Sequence, residues 1–162
     1  MIPYGRQSID EEDIRAVVDV LRSDWLTQGP VVERFEHAMA AYCGAKYAVA
    51  VNSATSGLHV ACLATGLGNE DALWTAPNTF VASANCGRYC GAAVDFVDIH
   101  PRTYNMSVDC LADKLEQARS QNKLPKVLIP VHFSGQPCQM AEIAVLCNRY
   151  GVAVIARTIS TS

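Results

Sequence analysis

Tyr47-Ala48-Val49-Ala50-Val51-Asn52-Ser53-Ala54-Thr55-Ser56-Gly57-Leu58 sets an apolar run against small hydroxyl residues and leads directly into a helical pattern. A strand that passes straight into a helix is the unit from which α/β folds are built. The junction also has a chemistry. The first N–H groups of a helix have no partner in the helix and point along its axis, where the macrodipole adds partial positive charge. An anion such as phosphate is stabilised there, and Thr55 and Ser56 offer hydroxyl donors beside it. On these residues alone, an ordinary helix cap at Asn52, Ser53 or Thr55 explains the pattern equally well.

Two helices are expected before this junction. Ser8-Ile9-Asp10-Glu11 fits a capping box, and Ile14, Val17, Val18 and Leu21 recur at helical spacing to about Ser23. After a polar break from Asp24 to Gly29, Pro30 suits a first helical turn, Phe35 and Met39 continue an apolar stripe, and Gly44 ends the second helix. From Lys46 onward, strands and helices alternate. Strands are expected at 46–51, 72–76, 93–97, 126–131 and 152–155. Helices are expected from about Ser56 to Thr65 and at 80–90, 109–121 and 139–150. This alternation predicts an α/β fold with a mostly parallel sheet and helices on both faces. Ala48–Val51, Val127–Val131 and Val152–Ile155 are nearly continuous apolar runs, as strands buried on both faces require. Ligands in such folds collect at the carboxyl ends of the strands, where the loops Asn52–Ser56, Pro77–Phe80 and His132–Gln136 fall.

Composition narrows the function classes. The 162 residues are half apolar and carry a net charge of -3, with no basic block, which disfavours nucleic acid or an anionic membrane as partner. No run approaches the roughly 18 apolar residues that span a bilayer, and the N-terminus lacks a leader pattern, so a soluble cytoplasmic protein is expected. Seven cysteines scattered through apolar stretches suit reduced, buried thiols. Cys86 and Cys90 lie one helical turn apart, but His59, His100 and His132 do not cluster with them, and no metal site is expected. Gly66-Leu67-Gly68 follows a helix rather than a strand, which argues against a dinucleotide-binding module.

The segments Pro3–Asp13, Asp24-Trp25-Leu26-Thr27-Gln28-Gly29-Pro30, Asn52–Leu58, Pro77–Asn85 and Val131-His132-Phe133-Ser134-Gly135-Gln136 together resemble the DegT-type sugar-nucleotide aminotransferases. These are fold-type I enzymes that use pyridoxal 5′-phosphate (PLP). Within the family, the Leu26–Pro30 and Asn52–Ser56 stretches look most like the pseudaminic acid branch. The resemblance implies that the chain is the N-terminal part of a fold-type I large domain. It implies that Ala54, Thr55 and Ser56 hold the PLP phosphate and that Phe80 stacks on the pyridine ring. Tyr4, Asp24, Trp25, Leu26 and Thr27 match positions that contact the substrate, and an aromatic such as Trp25 in a polar break calls for a partner surface. His132 and Gln136 would shape the pocket wall. The implied partners are a UDP-linked 4-keto-6-deoxy-N-acetylhexosamine, glutamate as amino donor, and a second subunit in a homodimer. The implied segments are 1–45, helical with the substrate loop, and 46–155, the partial PLP-binding domain.

The resemblance stops at the end of the chain. In the family the strand matching Val152–Ile155 runs into Glu-Asp-Ala-Ser-His, whose Asp pairs with the protonated pyridine nitrogen. Here Ala156-Arg157-Thr158-Ile159-Ser160 stands there, with Arg157 in place of the Asp. Lys46, Lys114, Lys123 and Lys126 do not match the family's Schiff-base lysine and read as surface charges. The expectations are therefore an aberrant tail at 156–162, a truncated N-terminal half and no turnover by this chain alone. The alternative is a non-catalytic remnant or dimerisation partner of an intact copy.

Overall fold

The computed structural model describes residues 7–158, which fall into two compact units, one up to Asn52 and one from Ser53 onward.

The first unit holds two helices and an extended stretch. Helix α1 (Glu11–Arg22) is capped by Asp10, which accepts from the N–H groups of Glu12 and Asp13 while Asp13 reaches back to the N–H of Asp10. The capping box therefore sits two residues beyond the expected Ser8. Asp10 is a strong cap, and Asp13 stands three places on to close the reciprocal bond. The apolar stripe that signals this helix, including Ile14, Val17 and Leu21, lies exposed. Helix α2 (Pro30–Cys43) begins with Pro30 and ends at Gly44 in the left-handed region, as the sequence predicts.

The strand expected at 46–51 is not formed. This stretch is extended and pairs with no strand among the described residues, so Tyr47 and Val49 are each 75% exposed instead of buried on two faces. Apolar alternation marks a candidate strand, but only a neighbouring ladder satisfies its N–H and C=O groups. One tie is present: the N–H of Ala50 donates to Glu36 Oε1 at 2.8 Å.

The second unit is a three-layer α/β arrangement, as predicted. In chain order it contains α3 (Ala54–Ala64), β1 (Ala72–Thr75), α4 (Ala82–Tyr89), β2 (Ala93–Phe96), α5 (Val108–Ser120), β3 (Val127–Ile129), β4 (Val131–His132), α6 (Met140–Tyr150), β5 (Ala153–Val154) and β6 (Arg157–Thr158). The four-stranded sheet has the order β2-β1-β3-β5 with every pair parallel, and β4 pairs with β6 in a second parallel ladder. Pro130 separates β3 from β4, and its carbonyl accepts from the N–H of Arg157 at 3.0 Å, so the ladder steps across the proline.

Alternation along the strands builds two cores. Leu73, Val127 and Ile129 face Leu58, Cys62, Ala82 and Cys86 of α3 and α4. Trp74 and Leu128 face Leu111, Leu115, Ile143 and Cys147 of α5 and α6. The buried hydroxyl of Thr75 donates to the carbonyl of Ile129 at 2.9 Å. Gly87 lets α4 press onto the sheet, because a Cβ there would stand 3.1 Å from Leu73 Cβ.

All seven cysteines are free thiols, but Cys43 and Cys110 are exposed rather than buried. Lys114 and Lys126 are engaged rather than simply solvated: Lys114 pairs with Asp95 at 2.6 Å, and Lys126 pairs with Asp71 at 3.0 Å while donating to Gly66 O at 2.7 Å.

Two measurements check this arrangement. Leu128→Ala should cost about 2–5 kcal/mol of unfolding free energy in urea, whereas Val49→Ala should cost under about 0.5 kcal/mol. The hydrogen bond from Lys126 holds the Asp71 carboxyl below its ordinary range. A depressed carboxylate contributes stability that is complete above about pH 4 and is lost as pH falls through the folded value. Urea melts at pH 7 and pH 3 should therefore show Asp71→Asn losing less stability on acidification than the parent chain.

Candidate functional site

The Ser53 side chain accepts from the N–H of Ser56 at 3.1 Å and so caps α3; its hydroxyl also lies 3.0 Å from that of Ser56. Of the three caps the sequence leaves open, Ser53 is the one used. Ala54, Thr55 and Ser56 form the first turn, with Thr55 and Ser56 partly exposed. At the other end of this helix, Gly66 O is tied to Lys126, which precedes β3 at the amino edge of the sheet. Eleven residues of helix span about 16 Å, which sets the Ser53–Ser56 turn toward the carboxyl edge.

Helix α4 starts beyond the carboxyl end of β1, and Phe80 sits just ahead of it. Phe80 is 59% exposed, so it is not a core aromatic, and its ring is available to a ligand. The hydroxyls of Thr79 and Ser83 lie 2.9 Å apart beside it.

Arg157 joins this group from β6. Its Nη1 donates to Ser83 Oγ at 2.7 Å, to the Phe80 carbonyl at 3.3 Å and to Thr79 Oγ1 at 3.4 Å. Its Cζ lies 5.6 Å from the centre of the Phe80 ring. Burial pulls the guanidinium below the ordinary arginine range, and Nε is buried without a partner among the described residues. The sequence singles out Arg157 for its place in the chain, but Thr79 and Ser83 carry no signal that they would receive it. Beneath them, the buried Cys86 Sγ donates to the carbonyl of Ser83 at 3.3 Å, and the neighbouring Cys86 together with burial pushes the Cys62 thiol up.

A second set of loops lines the same edge. Asn105, almost fully buried, donates through Nδ2 to the carbonyls of Gln136 and Pro137 at 3.0 Å and accepts from the N–H of Phe133 at 2.9 Å. This bridge holds a 3₁₀ turn, Phe133–Gly135, in which Ser134 adopts φ 50°. His132 Nδ1 accepts from the N–H of Cys138 at 3.1 Å, which fixes the orientation of the ring. Asn105 escaped the sequence reading because a single Asn in a loop has no periodic signature.

The expected substrate residues belong to the first unit. Asp24, Trp25, Leu26 and Thr27 form the exposed link between α1 and α2, and Trp25 is 63% exposed. Ser23 organises this link, its Oγ donating to the carbonyl of Val20 at 2.7 Å. Tyr4 lies outside the described residues. Among the described residues no cluster of three or more His, Cys, Asp or Glu is placed to hold a metal ion, and no helix is long and apolar enough to cross a membrane.

Comparison with known proteins gives one consistent result. The profile of the DegT/DnrJ/EryC1/StrS aminotransferase family matches residues 7–158. The chain is 40% identical over 154 residues to the spore coat polysaccharide biosynthesis protein SpsC of Bacillus subtilis, and 39% identical over 154 residues to an uncharacterised protein of Methanocaldococcus jannaschii. Each match covers 95% of this chain and 38% of the relative, so the chain spans well under half the length of these relatives. Among solved structures, a sugar aminotransferase of Streptococcus pneumoniae in its PLP form superposes with a TM-score of 0.82 at 30% identity, over 91% of this chain and 36% of that one. Helicobacter pylori PseC, an aminotransferase of pseudoaminic acid biosynthesis, gives 0.82 at 27% identity, over 95% of this chain and 40% of that one.

The buried bond between Arg157 and Ser83 has a measurable weight. Ser83→Ala should cost about 1–3 kcal/mol, because a desolvated guanidinium loses its shortest acceptor. Adding Arg157→Met should recover part of that loss in a urea double-mutant cycle; strictly additive losses would mean that the bond contributes nothing.

Proposed function

This chain belongs to the DegT/DnrJ/EryC1/StrS aminotransferase family, and from that premise we propose that it supplies the cofactor-holding N-terminal part of a sugar-nucleotide transaminase. The family's cofactor is PLP, and a PLP-form structure stands among the chain's neighbours. The proposed substrate is a UDP-linked 4-keto-6-deoxy-N-acetylhexosamine aminated at C4, with glutamate as donor. Within the family, the activity proposed is that of a UDP-4-amino-4,6-dideoxy-N-acetyl-β-L-altrosamine transaminase. The likeness to PseC supports a nucleotide-sugar role of this kind, and the likeness to SpsC supports polysaccharide biosynthesis more broadly.

The observation that carries the reading is the first turn of α3, where Ser53 caps the helix and Thr55 and Ser56 present hydroxyls at its positive end. In the proposal, Ala54 contributes its backbone N–H, and Thr55 and Ser56 add hydroxyl donors to the phosphate. Phe80 offers its exposed ring as a platform for the pyridine. These residues fit the phosphate and the ring; Arg157, a cation beside that platform, does not fit a protonated ring nitrogen. Tyr4, Asp24, Trp25, Leu26 and Thr27 are proposed to meet the sugar nucleotide, and His132 and Gln136, held by Cys138 and Asn105, to form pocket wall. When bound, PLP supplies the electron sink through which an amino group passes from donor to keto sugar. The complete protein is proposed to act as a cytoplasmic homodimer.

A second reading, in which this chain binds without turning over, is favoured by three of its four lysines. Lys114 and Lys126 are committed to Asp95 and Asp71, and Lys46 lies over the Tyr47 ring at 5.1 Å.

The chain should bind PLP in a fluorescence titration, and the Thr55→Ala/Ser56→Ala double variant should bind roughly 10- to 100-fold more weakly, since each loses a charge-assisted hydrogen bond. Equal affinities would remove the phosphate assignment. Borohydride treatment of the complex should leave no pyridoxyl label on any lysine of this chain; a labelled lysine would overturn the non-turnover reading.

A further inference from the structure

Arg157 is a cation with no carboxylate beside it among the described residues. Its acceptors on α4 and the segment before it are two hydroxyls and a carbonyl, all neutral. No Asp or Glu oxygen lies within 4.0 Å of the guanidinium among the described residues. On β4 its register partner is Val131, an apolar residue, and on α4 the ionisable group that interacts with it is the buried thiol of Cys86. With no carboxylate to offset it among the described residues, its charge acts on any group that lies against the nearby Phe80 ring.

The distances bound how strongly a ligand senses that charge. Arg157 Cζ is 5.6 Å from the centre of the Phe80 ring. An aromatic ring stacked on Phe80 has its centre about 4.5 Å from the same point. Even on the opposite face of Phe80, the two separations add to about 10 Å, and on the same face the ligand ring is far closer. At an effective dielectric of about 20, a unit charge at about 10 Å displaces a titration by roughly one pH unit, and a nearer one displaces it further.

We propose that Arg157 keeps the ring nitrogen of a pyridine cofactor stacked on Phe80 in its unprotonated, neutral form. This rests on the reading that Phe80 is the ring platform for PLP. An acid at this place would hold the nitrogen as a pyridinium and strengthen the ring as an electron sink; an arginine does the reverse. The pocket of this chain is thereby suited to retaining the cofactor rather than to activating it.

The test uses the full chain with ring-¹⁵N-labelled 4-deoxypyridoxine 5′-phosphate, a PLP analogue that lacks the aldehyde and so cannot react with surface lysines. Binding is followed by calorimetry and the ring nitrogen is titrated by its ¹⁵N shift. The bound nitrogen should titrate about one pH unit or more below the free ligand. Arg157→Lys should keep that displacement, and Arg157→Gln, checked for a native circular dichroism spectrum and a cooperative melt, should lose it. Binding with an unshifted or raised titration would overturn the proposal while leaving the cofactor reading intact. A displacement that persists in Arg157→Gln would overturn it too. Failure of both the parent and Arg157→Gln to bind the analogue would remove the cofactor reading and this proposal with it.

Discussion

Every feature of the second unit depends on the burial of β1 and β3 on both faces. Leu73 and Trp74 are neighbours in sequence, yet one enters the core under α3 and α4 and the other the core under α5 and α6. Parallel strands cannot be joined by tight turns, so each connection must carry a helix across one face. With both faces occupied, polar chemistry has only the sheet edges left to it. Thr79, Phe80 and Ser83 after β1, the Phe133–Gln136 turn after β4, and Arg157 after β5 gather along the carboxyl edge for that reason.

Much of this was legible in the sequence because apolar periodicity reports burial directly. Val127–Val131 reads as one doubly buried strand; its residues are buried, but Pro130 divides it into β3 and β4, which belong to two different ladders. The starts and ends of helices were legible wherever a residue has one conformational role. Pro30 opens a helix and Gly44 closes one because of what those residues cannot or can do with their backbone. The Tyr47–Val51 stretch shows the limit: periodicity states what a segment would bury, and only a partner strand decides whether it does. The displaced cap at Asp10 shows another, since Ser8 and Asp10 both satisfy the pattern and the backbone selects one.

The site was legible in part. Its first turn at Ser53–Ser56 and the ring at Phe80 stand where the alternation of strands and helices leads one to look. The contacts of Arg157 were not legible, because they join residues more than seventy positions apart through hydroxyls that are unremarkable in sequence. Nor was Asn105, whose three bonds fix a loop some thirty positions downstream. Together these make the carboxyl edge a place with two electrostatic characters: the positive end of a capped helix, and a guanidinium with no carboxylate beside it among the described residues. The first attracts a phosphate. The second opposes a positively charged ring.

The central claim is that the first turn of α3 is where this chain grips its cofactor. Hydrogen exchange of the individual backbone amides, read by NMR with and without PLP, tests it most directly. The account predicts that Ala54, Thr55 and Ser56 gain protection when PLP is added, while amides of α5 and α6 on the opposite face stay unchanged. Protection confined to other elements, with the Ala54–Ser56 amides exchanging as before, would contradict it.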